Sequence, residues 1–104
     1  MQIKTIRLSG ELIGIAYRIG EGNVSRGIRK AVEKYLENPT DPKPYRQPTM
    51  KVVTFKIETA KMNELFRHAV KRRTTVSALI RHQLMLLNEE KDAKAKVVPI
   101  TKLK

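Results

Sequence analysis

Two stretches of the chain place capping, hydroxyl and arginine residues at one shared spacing. Val24-Ser25 and Ile28-Arg29, within GNVSRGIRKAV, return 52 positions later as Val76-Ser77 and Ile80-Arg81, within RTTVSALIRHQL. In each copy a residue suited to helix capping, Asn23 or Thr75, stands directly before Val-Ser. The first N–H groups of a helix lack intrahelical acceptors, and the helix dipole adds partial positive charge beside them. Such a start can hold an anion such as a phosphate. Plain capping would use the same residues, so the elements upstream of each copy must decide between the two readings.

Other chemistry-bearing groups are sparse. His68 and His82 fall inside expected helices, far apart in sequence and without acidic or cysteine partners at metal-ligand spacing, so they read as surface or rim histidines. The ten acidic residues are scattered, and no Gly-rich loop of the nucleotide-binding types occurs. Tyr17, Tyr35 and Tyr45 are too few and too irregular to stack single-stranded bases. No catalytic residue, cofactor or metal is expected, and the protein reads as a non-enzyme.

The bulk properties point to a polyanionic partner. A chain of 104 residues makes one small domain, and a net charge of +12 with a pI near 10.3 favours nucleic acid first and an anionic membrane surface second. No apolar run approaches the ~20 residues of a membrane span, and the start of the chain lacks a signal-peptide core. The absence of cysteine fits a reducing compartment, so a cytoplasmic location is expected. Positive charge accompanies residues 1–36 and 51–87, whereas 37–50 is neutral and 88–104 is mildly basic. A disordered basic arm would instead have gathered it at one end.

The neutral stretch is also the break in the pattern. Four prolines between Glu37 and Pro48 forbid a continuous helix or central strand, so this is an extended linker able to reach about 40 Å. On each side of it lies a short strand followed by two helices. KVVTFKI alternates, with Val53, Phe55 and Ile57 on one face and Val52, Thr54 and Lys56 on the other. KTIRLS turns Ile6 and Leu8 inward and Thr5 and Arg7 outward, with Ile3 and Lys4 fitting the alternation poorly.

The helices show matching stripes. Ser9 is expected to cap a helix carrying Leu12, Ile15, Ala16 and Ile19, and Asn23 one carrying Ile28, Ala31, Val32 and Leu36. Thr59 is expected to cap a helix with Met62, Leu65, Phe66 and Ala69 on one stripe, and Thr75 one with Val76, Leu79, Ile80, Gln83, Leu84 and Leu87. Gly14 and Gly27 weaken the helical pattern locally. Each strand alone would leave both backbone edges unpaired, which suggests that the two pair with each other.

This doubled strand-helix-helix plan resembles the ribbon-helix-helix family, the Arc/MetJ class of DNA-binding proteins, over residues 3–36 and 52–87. The spacing from Lys56 to Thr75 matches Arc-like members, and that from Arg7 to Asn23 is three residues shorter. The resemblance implies an α+β, mostly helical fold. Two ribbon-helix-helix units (1–36 and 51–87, joined by linker 37–50) would form an intramolecular pseudo-dimer with a two-stranded antiparallel β-ribbon and four helices. Residues 1–87 would be one domain and 88–104 a basic, flexible tail.

The resemblance also implies a ribbon lying in the DNA major groove. By the family pattern its base-contacting positions fall on Ile3, Thr5 and Arg7 in the first unit and on Val52, Thr54 and Lys56 in the second, with Ile3 and Val52 apolar where the family commonly has polar residues. Phosphates would be held at the second-helix starts by Asn23, Val24, Ser25 and Arg26 and by Thr75, Val76 and Ser77. The implied partner is double-stranded DNA, with no membrane, bound by a folded monomer able to associate further along DNA. The implied role is a sequence-specific transcriptional repressor or regulator of phage, viral or plasmid type. Two alternatives stand beside it. One is an architectural accessory at a plasmid transfer origin, as in tandem relaxosome members of the family. The other is an antitoxin-like module whose tail, AKVVPITKLK, orders on a partner protein through Val97, Val98 and Ile100.

Overall fold

A computed structural model of the chain describes residues 1–43 and 49–103, with side chains through Glu89. Its elements run β1 (Gln2–Leu8), α1 (Gly10–Ile19), α2 (Val24–Glu37), β2 (Lys51–Ile57), α3 (Thr59–Lys71) and α4 (Val76–Leu103). The fold is α+β and mostly helical, with one two-stranded sheet among the described residues. Linker residues 44–48, including Tyr45, lie outside those described.

The two strands satisfy each other. They pair antiparallel with Thr5 facing Thr54, and the register runs from Gln2 opposite Ile57 to Leu8 opposite Lys51. Period-two alternation then sorts the side chains. Ile6, Leu8, Phe55 and Ile57 are buried beneath the ribbon, while Thr5, Arg7, Thr54 and Lys56 stand exposed on its outer face. Beneath the inner face the helices close a single core around Leu12, Ile28, Val32, Leu65, Leu79, Ile80 and Leu84.

The helix starts follow the capping expectations except at α3. The Ser9 hydroxyl accepts from Leu12 N, Asn23 Oδ1 from Arg26 N and Thr75 Oγ1 from Ala78 N. At α3 the cap position belongs to Glu58, which makes no side-chain cap bond, and Thr59 is already helical. Chain geometry explains this: β2 ends at Ile57 and leaves one residue before the helix, as Ser9 alone stands between β1 and α1. Phe66 also departs from the expected stripe. It is 60% exposed, because α3 faces the core through Met62, Leu65 and Ala69, and Phe66 lies 100° round the helix from Leu65.

The two helix pairs differ in how closely they cross. Both inner turns close in the same way. Glu21 and Arg73 take positive φ, and Gly22 N and Thr74 N bond back to Tyr17 O and Ala69 O. In the first pair a Cβ placed on Gly27 would meet Ala16 O at 1.8 Å, and one on Gly20 would meet Asn23 O at 1.9 Å. Backbone therefore touches backbone, and glycine at position 27 is a packing requirement rather than a weak point of α2. The residues 52 positions on are Arg72 and Leu79, whose bulk needs a wider crossing. α3 is correspondingly 13 residues long and α1 only 10.

The space beside α3 and α4 is filled by the start of the linker. Tyr35 Oη donates to Thr40 O at 2.6 Å, and Asp41 pairs with Arg72 Nε at 3.2 Å. Arg72 Nη1 contacts His68 Nδ1 at 2.9 Å, and the His68 ring meets Tyr35 edge-on. His82, expected at the rim, is buried under this strap. Lys43 N–H donates to its Nδ1 at 3.3 Å, so Nε2 carries the ring proton and donates to Thr40 Oγ1 at 3.1 Å. α4 runs from Val76 to Leu103. Its backbone is helical to Leu103, in keeping with the Glu, Lys and Ala content of residues 89–96.

Burial holds the His82 imidazole below its ordinary value of 6.5, reinforced by the Lys43 charge and opposed by Glu89. The unfolded chain therefore binds the extra proton first as pH falls. The His82 contribution to stability should be level above about pH 7 and decline as pH drops below 6.5 toward the lower folded-state value. Thermal unfolding from pH 7.5 to 5.5 checks this. His82→Gln should melt lower at pH 7.5 and lose the part of the slope that His82 contributes.

Candidate nucleic-acid interface

Two open clefts flank the ribbon, each between one strand pair and the start of a second helix. The first, about 530 Å³, is lined by Ile3, Asn23, Ser25, Arg29, Thr54, Phe55 and Lys56. The second, about 450 Å³, is lined by Thr5, Ile6, Arg7, Val52, Thr75, Ser77 and Arg81. They correspond residue for residue: strand positions differ by 49 and helix positions by 52. Three of the residues in each cleft come from the strand of one half and three from the second helix of the other, with the seventh (Ile3 or Val52) from the remaining strand.

Arginine ties these parts together. Arg29, on α2, donates through Nη1 to the Lys56 carbonyl of β2 at 3.2 Å. Arg81, on α4, donates through Nη1 to the Arg7 carbonyl of β1 at 3.1 Å. Each second helix thus clamps the strand of the opposite half, at the residue whose side chain ends the outer row. Neither arginine was singled out as functional from sequence. The signal was the repeated Ile-Arg itself, in which Ile28 and Ile80 are buried and anchor the arginine that follows.

The expected phosphate-contacting residues gather at the two helix starts. Asn23 and Thr75 cap the third N–H of their helices. That leaves the N–H groups of Val24 and Ser25, and of Val76 and Ser77, without intrahelical acceptors by helix geometry. Arg26 is exposed beside the first start, where the second has Ala78. Ser25 has an additional task. Its hydroxyl oxygen accepts from Lys56 N at 2.9 Å and from Arg29 Nη1 at 2.9 Å. Both lone pairs are engaged, and the hydroxyl proton remains for an outside acceptor. Ser77 makes no corresponding bonds among the described residues.

The outer face of the ribbon forms three cross-strand rows: Ile3 beside Lys56, Thr5 beside Thr54, and Val52 beside Arg7. All six side chains are exposed. Among the described residues no three His, Cys, Asp or Glu side chains gather in one place, and no helix is long and apolar enough to cross a membrane. No protein-family model matches the chain, and neither the curated proteins nor the solved structures provide a match.

The two serines should separate in stability. Ser25→Ala strips the Lys56 N–H and the Arg29 side chain of an acceptor and should cost about 1 kcal/mol. Ser77→Ala should lie within about 0.5 kcal/mol of the parent protein. Urea unfolding of both variants measures the difference.

Proposed function

We propose that the chain is a tandem ribbon-helix-helix protein, folded as an internal pseudo-dimer, that binds double-stranded DNA and serves as a transcriptional repressor or regulator. The observation that carries this reading is the residue-for-residue correspondence of the two clefts. A duplex offers two backbones related by local two-fold symmetry, and the chain offers two equivalent helix starts on either side of a ribbon. The B-DNA major groove, about 12 Å wide, admits a two-stranded ribbon. The helix starts then face the phosphates that border it, each with unpartnered N–H groups and the positive end of a helix dipole.

Base reading falls to the exposed ribbon rows. Arg7 and Lys56 suit guanine O6 and N7, and Thr5 and Thr54 at the centre can donate, accept or pack a methyl. Rows two residues apart are about 6.8 Å from one another, close to two base-pair steps of about 3.4 Å. The two basic residues therefore address base pairs about four steps apart. The net charge of +12 supplies the sequence-independent attraction. Use at a transfer origin would draw on the same surface, and an antitoxin role would depend on residues beyond Glu89.

The halves are equivalent but not identical, so the bound sequence should be a quasi-palindrome. Arg makes a planar two-pronged contact and Lys a flexible single-point one. Selection from random duplexes at one fixed salt concentration should show stricter preference in the half read by Arg7. Arg7→Ala should cost roughly 1–3 kcal/mol and relax one base preference. Lys56→Arg should make the preferred site more symmetric. Equal weakening toward every sequence in both variants would mean that the ribbon does not read bases.

A further inference from the structure

Ile3 and Val52 lie outside the core. They are 65% and 64% exposed, on a strand face whose other members are polar or basic. A single exposed aliphatic residue needs no explanation. Here two occupy equivalent positions, 49 residues apart, and each lines one of the two clefts. The register sets Ile3 directly beside Lys56 and Val52 directly beside Arg7. Directly opposed residues on one face of an antiparallel pair have Cβ atoms about 5 Å apart. An aliphatic group and a cation are thus presented together at each end of the ribbon, on neighbouring strands.

We infer that Ile3 and Val52 are specificity residues that pack on the 5-methyl groups of thymines in the bound duplex. This rests on the reading of the ribbon as a major-groove element. The thymine methyl is the one apolar group that the major-groove edges of the four bases display. An exposed aliphatic side chain gains by covering it, and makes no compensating contact with the donors and acceptors of the other bases. Because the two ribbon strands lie side by side across the groove, Lys56 and Ile3 address opposite DNA strands, as do Arg7 and Val52. Each half of the recognised sequence therefore carries a guanine, with a thymine on the opposite strand within about one base-pair step of it. The central row, Thr5 with Thr54, falls between these two pairs.

The test uses the full chain and a duplex taken from random-site selection, with thymines replaced one at a time by deoxyuridine. That change removes the methyl and leaves pairing and hydrogen-bonding edges as they were. Deoxyuridine at one thymine in each half, outside the central pairs that Thr5 and Thr54 address, should weaken binding about fourfold, the value of burying one methyl-sized group, and at positions beyond the ribbon should leave it unchanged. In Ile3→Ser/Val52→Ser the same substitutions should have no effect, while the guanine preferences persist. Unchanged affinity of the parent protein for every deoxyuridine duplex overturns the inference and leaves the ribbon reading standing. A sensitivity to deoxyuridine at those same two thymines that survives in the double variant assigns the methyl contact elsewhere and also overturns it. If selection yields no preferred sequence, the ribbon does not read bases, and the inference falls with that reading. Should the double variant not fold, the parent protein's response to deoxyuridine decides alone.

Discussion

A two-stranded ribbon is marginal by itself, because one face must be buried and two strands offer little to bury it against. Everything else in this fold answers that constraint. Ile6, Leu8, Phe55 and Ile57 supply an apolar underside, and the four helices meet beneath it. The strand ends are then held from the flanks by Arg29 and Arg81, which reach across to the carbonyls of Lys56 and Arg7. These bonds join the helix of one half to the strand of the other. The side chains of Arg7 and Lys56 consequently project from backbone that is fixed at the carbonyl. Such fixing lowers the cost of ordering them on a partner.

The equivalence of the halves is modulated by packing. Ala16, Gly20 and Gly27 let α1 approach α2 backbone to backbone, whereas the corresponding positions carry Arg72 and Leu79 and α3 meets α4 less closely. The linker strap from Thr40 to Lys43 packs on this second helix pair. The strap engages Arg72 and His82, at positions where the first half has Gly20 and Lys30. Charge follows the same asymmetry: the first inner turn carries Glu21, paired with Lys30 at 3.2 Å, and the second carries Lys71, Arg72 and Arg73.

The strands were legible because burial on one face writes a period of two into the side chains, and that signal is local. Ser9, Asn23 and Thr75 were legible as caps for the same reason, since a cap bonds within three residues of itself. Thr59 misled because a threonine near a helix start looks like a cap. The offset of 49 that relates the strands also relates Ser9 to Glu58, and this would have placed the cap correctly. Phe66 misled because a stripe in sequence does not reveal how wide an arc of the helix the core covers. His82 and Tyr35 were out of reach, since their partners lie in an irregular linker that leaves no periodic trace. The clefts were half visible. Their hydroxyl and capping residues were singled out, but the arginines that assemble them act between halves, over separations of 27 and 74 residues.

The most direct measurement of the central claim is a titration of isotope-labelled protein with a selected duplex, followed by backbone amide resonances. If one chain presents both halves of a DNA-reading surface, the amides of Thr5, Arg7, Thr54 and Lys56 and those of Val24, Ser25, Val76 and Ser77 move together and saturate at one chain per site. Shifts confined to one helix start, or centred on the exposed face of α3 around Phe66 and Val70, would contradict it.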